Sequence, residues 1–233
     1  MNNKKIFYTV LSFALILVIG IGTITALHLT DKKATSINTT NQTTGTTSSA
    51  VENKDILFVS EVSPNWSLDP TDITALINEK NNEKIIVKAI VKSIEKADFL
   101  INGSGVPVTP YKVDITKVYK GNIEEKSITV CLNGGDVLIK DVINGIPESS
   151  AKKMGLDSLS EEDKNNKYIS YKMADSDANL SVGEEYVFIL TKQDGFYLSS
   201  CGGYGVFEGN TNSDELSDYK NIISGKNFDA KIN

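Results

Sequence analysis

Two cysteines, Cys131 and Cys201, and a scatter of carboxylates are the residues of this chain best suited to chemistry, because its only histidine is His28 and it has no arginine. A nucleophilic cysteine needs a neighbouring base to make the thiolate. Beyond His28 the chain offers neither a histidine nor a Cys-x-x-Cys pair. Asp175, Asp177 and Asn179 form the D-x-D-x-N opening of a calcium loop, yet Leu180 stands where a glycine is required and Tyr186 where a bidentate glutamate is required. A polar loop ahead of a strand is the expectation there. Glu184 and Glu185 are adjacent and point apart on a strand, while Glu161, Glu162 and Asp163 suit the positive end of a helix. No catalytic residue, metal site or cofactor is expected. Tyrosines are the more promising set: Tyr111, Tyr119, Tyr197 and Tyr204 form the candidate ligand face, with core packing as the competing role.

Short elements must position these groups. Asp69 and Pro70 read as a helix start, with Ile73, Leu76 and Ile77 on its apolar side. From Lys84 to Ile94 the period changes to two, with Val87, Ala89 and Val91 on one face and Lys88 and Lys92 on the other, which predicts a strand with one buried face. Tyr111, Val113 and Ile115 share a face, but Val118 falls on the opposite parity, so a β-bulge is expected near Thr116 or Lys117. A third strand runs through Ile128, Val130 and Leu132 until Gly134 and Gly135 break it. Residues 136–181 read as a helical insertion, with Ser160 and Asp163 as a capping pair. Tyr186 to Thr191, apolar on both faces, is a central strand, and an Asp194, Gly195 turn leads to another at Phe196 to Cys201. Leu216, Tyr219, Ile222 and Ile223 suggest a closing amphipathic helix.

Ahead of this domain, Lys4 and Lys5 precede an apolar run from Ile6 to Leu29. That run of about 24 residues can cross roughly 30 Å of hydrocarbon, so residues 1–30 read as a transmembrane helix with the bulk of the chain outside the cytoplasm. Cleavage after the small residues Thr25 and Ala26 is the alternative, and would make the protein secreted. Residues 31–55, dominated by Thr, Ser and Asn, read as a flexible linker, and residues 56–233 as the extracytoplasmic domain. The first 54 residues hold five Lys against two acids, leaving 19 Lys against 28 acids beyond them. A domain with that excess of acid is a poor partner for nucleic acid. The exclusive use of Lys, with abundant Asn and Ile, fits a bacterial source.

The stretches IIVKAIVKSIEKA, YKVDITKVYKG, SITV with its double glycine, LSVGEEYVFILTK, DGFYL and GYGVFEG together resemble bacterial exported proteins with an OB-like barrel of the netrin-like and tissue-inhibitor-of-metalloproteinases superfamily. The resemblance implies a mainly β fold: a five-stranded OB-like barrel with peripheral helices and a helical insertion. Those inhibitors chelate a metal through an N-terminal cysteine, and no cysteine precedes the first strand here. In such a barrel the third and fifth strands are neighbours, which makes Cys131 and Cys201 a candidate disulfide, with free buried thiols as the alternative. A cysteine transpeptidase fails on chemistry, since it needs a histidine and an arginine beside its cysteine. The functional expectation is a membrane-tethered, non-enzymatic module binding an extracytoplasmic protein or glycan. A carboxylate-based hydrolase of cell-surface glycan and a structural or sensory ectodomain are the alternatives.

Overall fold

In a computed structural model of the protein, residues 54–79, 83–99, 105–209 and 212–232 are described. The expected membrane segment (1–30) and almost all of the expected linker lie outside these residues. No helix among the described residues is long and apolar enough to cross a membrane.

Among the described residues, ten strands form two sheets, accompanied by four short α-helices. The larger contains β2 (Lys84–Ile94), β3 (Val108–Lys120), β4 (Ser127–Asn133), β7 (Glu185–Gln193), β8 (Phe196–Ser199), β9 (Val206–Gly209) and β10 (Tyr219–Asn221). Its order is β10-β9-β7-β2-β3-β4-β8, and a further β7/β8 pairing closes five strands into a barrel. All barrel pairings are antiparallel except β4 with β8. The result is the expected OB-like barrel. Val87, Ala89 and Val91 of β2 fill it together with Tyr111 and Val113, Val130 and Leu132, and Phe188 and Leu190.

The bulge lies where the parity break of β3 places it. Lys117 pairs with Lys88 and Ile115 with Ala89, leaving Thr116 as the extra residue, and a second irregularity skips Tyr119. Two departures concern β2 and α1. The other face of β2 is buried as well, because α1 (Ile73–Ile77), Phe207 of β9, Tyr219 of β10 and Phe228 pack over Ile86 and its β7 neighbours Val187 and Ile189. Lys84 and Lys88 are therefore buried rather than solvated. The cap of α1 is Asp72, whose carboxylate accepts from the Ala75 N–H, while Asp69 accepts from the Thr71 N–H one turn earlier.

Residues 136–181 are not a helical insertion alone. β5 (Gly135–Leu138) and β6 (Lys167–Met173) enclose α2 (Ile139–Gly145), α3 (Glu148–Lys153) and α4 (Glu161–Asn166). With β1 (Asp55–Val62) they form a second sheet, β1-β6-β5, in which β1 runs parallel to β6. One face of that sheet buries Val137 and Ile169 against Val142, Ala151 and Leu156 of the helical segment. Ser160 caps α4 as expected, its hydroxyl oxygen accepting from the Asp163 N–H at 3.1 Å. The closing helix is also corrected: Leu216–Asp218 makes one 3-10 turn and the chain then extends as β10, which places Tyr219 in the outer core.

Candidate functional site

β4 leaves the barrel and becomes β5 of the second sheet within two residues, and a cleft opens beside that bend. Gly134 and Gly135 make the bend at φ +98° and +122°, where side chains are strained. A Cβ on Gly135 would lie 2.2 Å from Thr109 Oγ1 and 2.8 Å from Ala97 Cβ. The two sheets diverge from this point around a cleft of about 770 Å³, a volume within the ordinary range for ligand sites.

Three layers of chemistry line the cleft. Apolar contact comes from Ile56, Ile94 and Leu180, and aromatic contact from Tyr111 and Tyr171. Amide and hydroxyl groups come from Asn133, Asn179 and Ser170. Four of the charges pair off: Lys54 Nζ is 3.3 Å from Asp136 Oδ2, and Lys172 Nζ is 3.3 Å from Asp177 Oδ2, while the Glu95 carboxylate, also in the lining, accepts from the Ser93 hydroxyl at 2.6 Å. Lys54 also lies 5.5 Å over the Tyr168 ring. Burial pushes the Tyr171 phenol up to about 12, and its ring meets Phe99 edge-on at 5.9 Å. Burial likewise raises Tyr111, against a backbone hydrogen bond with Leu180 that lowers it. Both phenols are thus neutral hydrogen-bonding groups at any physiological pH.

The four tyrosines named from sequence do not converge. Tyr111 and Tyr197 point into the barrel core, and only Tyr111 borders the cleft. The Tyr197 hydroxyl is buried without a partner. Tyr119 and Tyr204 pack outside the barrel against the other core. Tyr119 donates to the Asp214 carbonyl at 3.2 Å, and burial pushes its phenol up to about 12. Cys131 and Cys201 are free thiols, pushed up by burial to about 12 and about 11. Such thiols are poor nucleophiles and poor metal ligands. Asp177 of the D-x-D-x-N run turns to Lys172, and no cluster of three ligating side chains occurs among the described residues.

Two buried lysines complete the electrostatic picture, and neither was expected. Lys84 donates to Thr191 Oγ1 at 2.8 Å and Ser200 Oγ at 3.1 Å, and lies 2.7 Å from Glu79 Oε2. Lys88 lies 3.6 Å from Glu185 Oε2 and 3.2 Å from Asp214 Oδ1, and donates to the Ser213 carbonyl at 3.2 Å. The Thr116 hydroxyl at the bulge lies 2.6 Å from Glu185. Burial pulls the Lys88 ammonium down in pKa, but the hydrogen bond to Asp214 and the charge of Glu185 outweigh it, so its value is raised. The Lys88 ammonium is held charged, and both lysines are engaged by hydrogen bonds and ion pairs, which suits a structural role better than a general base.

No family model, no curated protein and no solved structure matches this chain. Of the cleft residues, Asp177 and Asn179 stand in the D-x-D-x-N run, whereas Lys54, Lys172 and the Asn133 and Asp136 that flank Gly134 and Gly135 come from distant stretches of the chain and had no spacing signal of their own. The other local sign was the double glycine.

Proposed function

We propose that the protein is a membrane-tethered, extracytoplasmic binding module whose ligand occupies the cleft between barrel and second sheet. The cleft itself is the observation that supports this: it combines apolar walls, neutral phenols, amides, two self-neutralised Lys/Asp pairs and one further carboxylate, Glu95, the mixed lining of a site that holds a ligand by contact and hydrogen bonds. An uncharged or weakly charged polar chain, a glycan or a peptide, fits that lining. Asp136 and Asp177 each accept from an ammonium group, so both carboxylates of these pairs are already engaged within the cleft. The netrin-like kinship and bacterial origin belong to the same proposal, and rest on strand pattern and composition.

The test is direct. The full chain in lipid nanodiscs is titrated with defined N-acetylhexosamine oligomers and with short synthetic peptides, by calorimetry. Saturable binding that weakens at least tenfold in an Asp136→Ala, Lys172→Ala double variant of unchanged circular dichroism supports the reading. Release of shortened oligomers, seen by mass spectrometry, would replace it with the hydrolase.

A further inference from the structure

β1 is the longest open edge of the described sheets. It has eight residues and bonds only to β6, so the backbone N–H and C=O groups on its other side have no sheet partner among the described residues. The open edge of the larger sheet is different: β10 is short, and Lys220 bridges to Asn227 across it. Proteins usually guard a long edge with Lys, Pro, inward charges or bulges. β1 contains neither Lys nor Pro, and its one irregularity, at Leu57, leaves Phe58 to Val62 in unbroken register with Ile169 to Met173.

The edge is also apolar where it is bare. Leu57 and Val59 are 38% and 53% exposed, and Ile94, across the cleft mouth, is 48% exposed. These are three of the five exposed large apolar side chains among the described residues. Val59 lies opposite Ser170, which lines the cleft, and Ile56 lines it directly. A strand added to β1 would therefore extend the second sheet and bring alternate side chains to the cleft mouth. The charges of β1 are Asp55 and Glu61, one near each end, on a domain whose residues beyond 54 carry 28 acids against 19 Lys. Such an edge repels a second acidic strand and attracts one with basic flanks.

We infer that β1 is a docking edge for an extended peptide strand, apolar at alternate positions and basic at its ends, which joins the sheet by strand addition beside the cleft. The inference rests on the binding-module reading and narrows its ligand from glycan or peptide to a polypeptide strand. Affinity comes from the backbone ladder, and selectivity from the contacts at Val59, Ile56 and Ile94.

Fluorescence anisotropy with the full chain in nanodiscs tests this, using a labelled peptide of alternating Thr and Val with Lys at both ends. Saturable binding is expected, weakened at least tenfold by methylating alternate backbone nitrogens of the peptide and equally by Val59→Lys. Val118→Lys, at an exposed valine of β3 on the barrel, leaves binding unchanged. Equal binding of the methylated peptide, or full binding by Val59→Lys, overturns strand addition. Concentration-dependent dimerisation abolished by Val59→Lys also overturns it, by giving the edge to a second copy of the chain. Glycan binding that survives Val59→Lys, with no peptide binding, removes this inference and keeps the module. No binding of either probe removes both.

Discussion

Replacing Lys88 by Met is a demanding test of how the outer core is held, because the ammonium is nearly enclosed and its loss strands a carboxylate. The Lys88 and Glu185 side chains are only 8% and 9% exposed, and their charged atoms are 3.6 Å apart. At an effective dielectric of about 20, that separation corresponds to a gross attraction of about 4 to 5 kcal/mol. Most of it offsets desolvation, so the pair itself contributes little net stability. Breaking it is another matter: Glu185 is left buried with the Thr116 hydroxyl as its remaining polar contact, at a cost of about 3 to 5 kcal/mol. In a domain of this size the melting temperature falls by roughly 6 to 20 °C. Lys88→Met combined with Glu185→Leu removes both charges and recovers most of the loss, while Asp214→Ala, at an exposed partner, changes little. Thermal unfolding followed by far-ultraviolet circular dichroism at pH 7 reads all three variants. The sign of the pH dependence follows from the raised pKa of Lys88: its contribution is fully present below the unfolded lysine value near 10.4 and lost as pH rises through the folded one. The same window holds for the raised Tyr119 and Tyr219, so Lys88→Met flattens only part of the alkaline loss. A Lys88→Met protein as stable as the parent, or a double variant no better than the sum of its parts, would refute the reasoning.

Other outcomes follow from single contacts. Gly135→Ala places a Cβ against Thr109 and Ala97 in a strained backbone region, so a loss of about 3 kcal/mol or more and weakened ligand binding are expected, by urea unfolding and calorimetry. Ser160→Ala removes the acceptor at the start of α4 and costs about 1 kcal/mol in the same urea assay. Cys131 and Cys201 react slowly with a thiol reagent at pH 8 in the native protein and quickly, two per chain, in guanidinium; a denatured chain showing no free thiol would mean a disulfide instead.

The barrel was legible where a strand's partners are near in sequence and its pattern is strict. Alternation along Val87, Ala89 and Val91, the parity slip before Val118 and the Asp194, Gly195 turn each state a local rule that the fold obeys. The second sheet was hidden because its rules are long-range. β1 finds its partner more than a hundred positions away, and DILFVSEV has apolar residues on both faces, so no strict alternation marks it as a strand. β6 lies among real helix signals and was absorbed by them. Near Leu216 and Tyr219 the spacing fits a helix, yet with so few apolar positions a turn followed by an extended strand fits equally, and packing of Tyr219 beside Phe207 decides. The cleft inherits this blindness, since it exists only where the hidden sheet meets the legible one.

The pairing of β1 with β6 also sets a timetable. β1 is the first element of the domain to leave the ribosome, and it has nothing to bond until Lys167 to Met173 have followed it. At 5 to 20 residues per second, that delay is on the order of 10 s. For that interval Ile56, Leu57, Phe58 and Val59 travel as a naked apolar strand, while the barrel strands behind them already have partners within reach. Folding of this domain is therefore open to aggregation while β1 waits for β6, and a chaperone that shields Asp55 to Val62 over that interval would protect that strand.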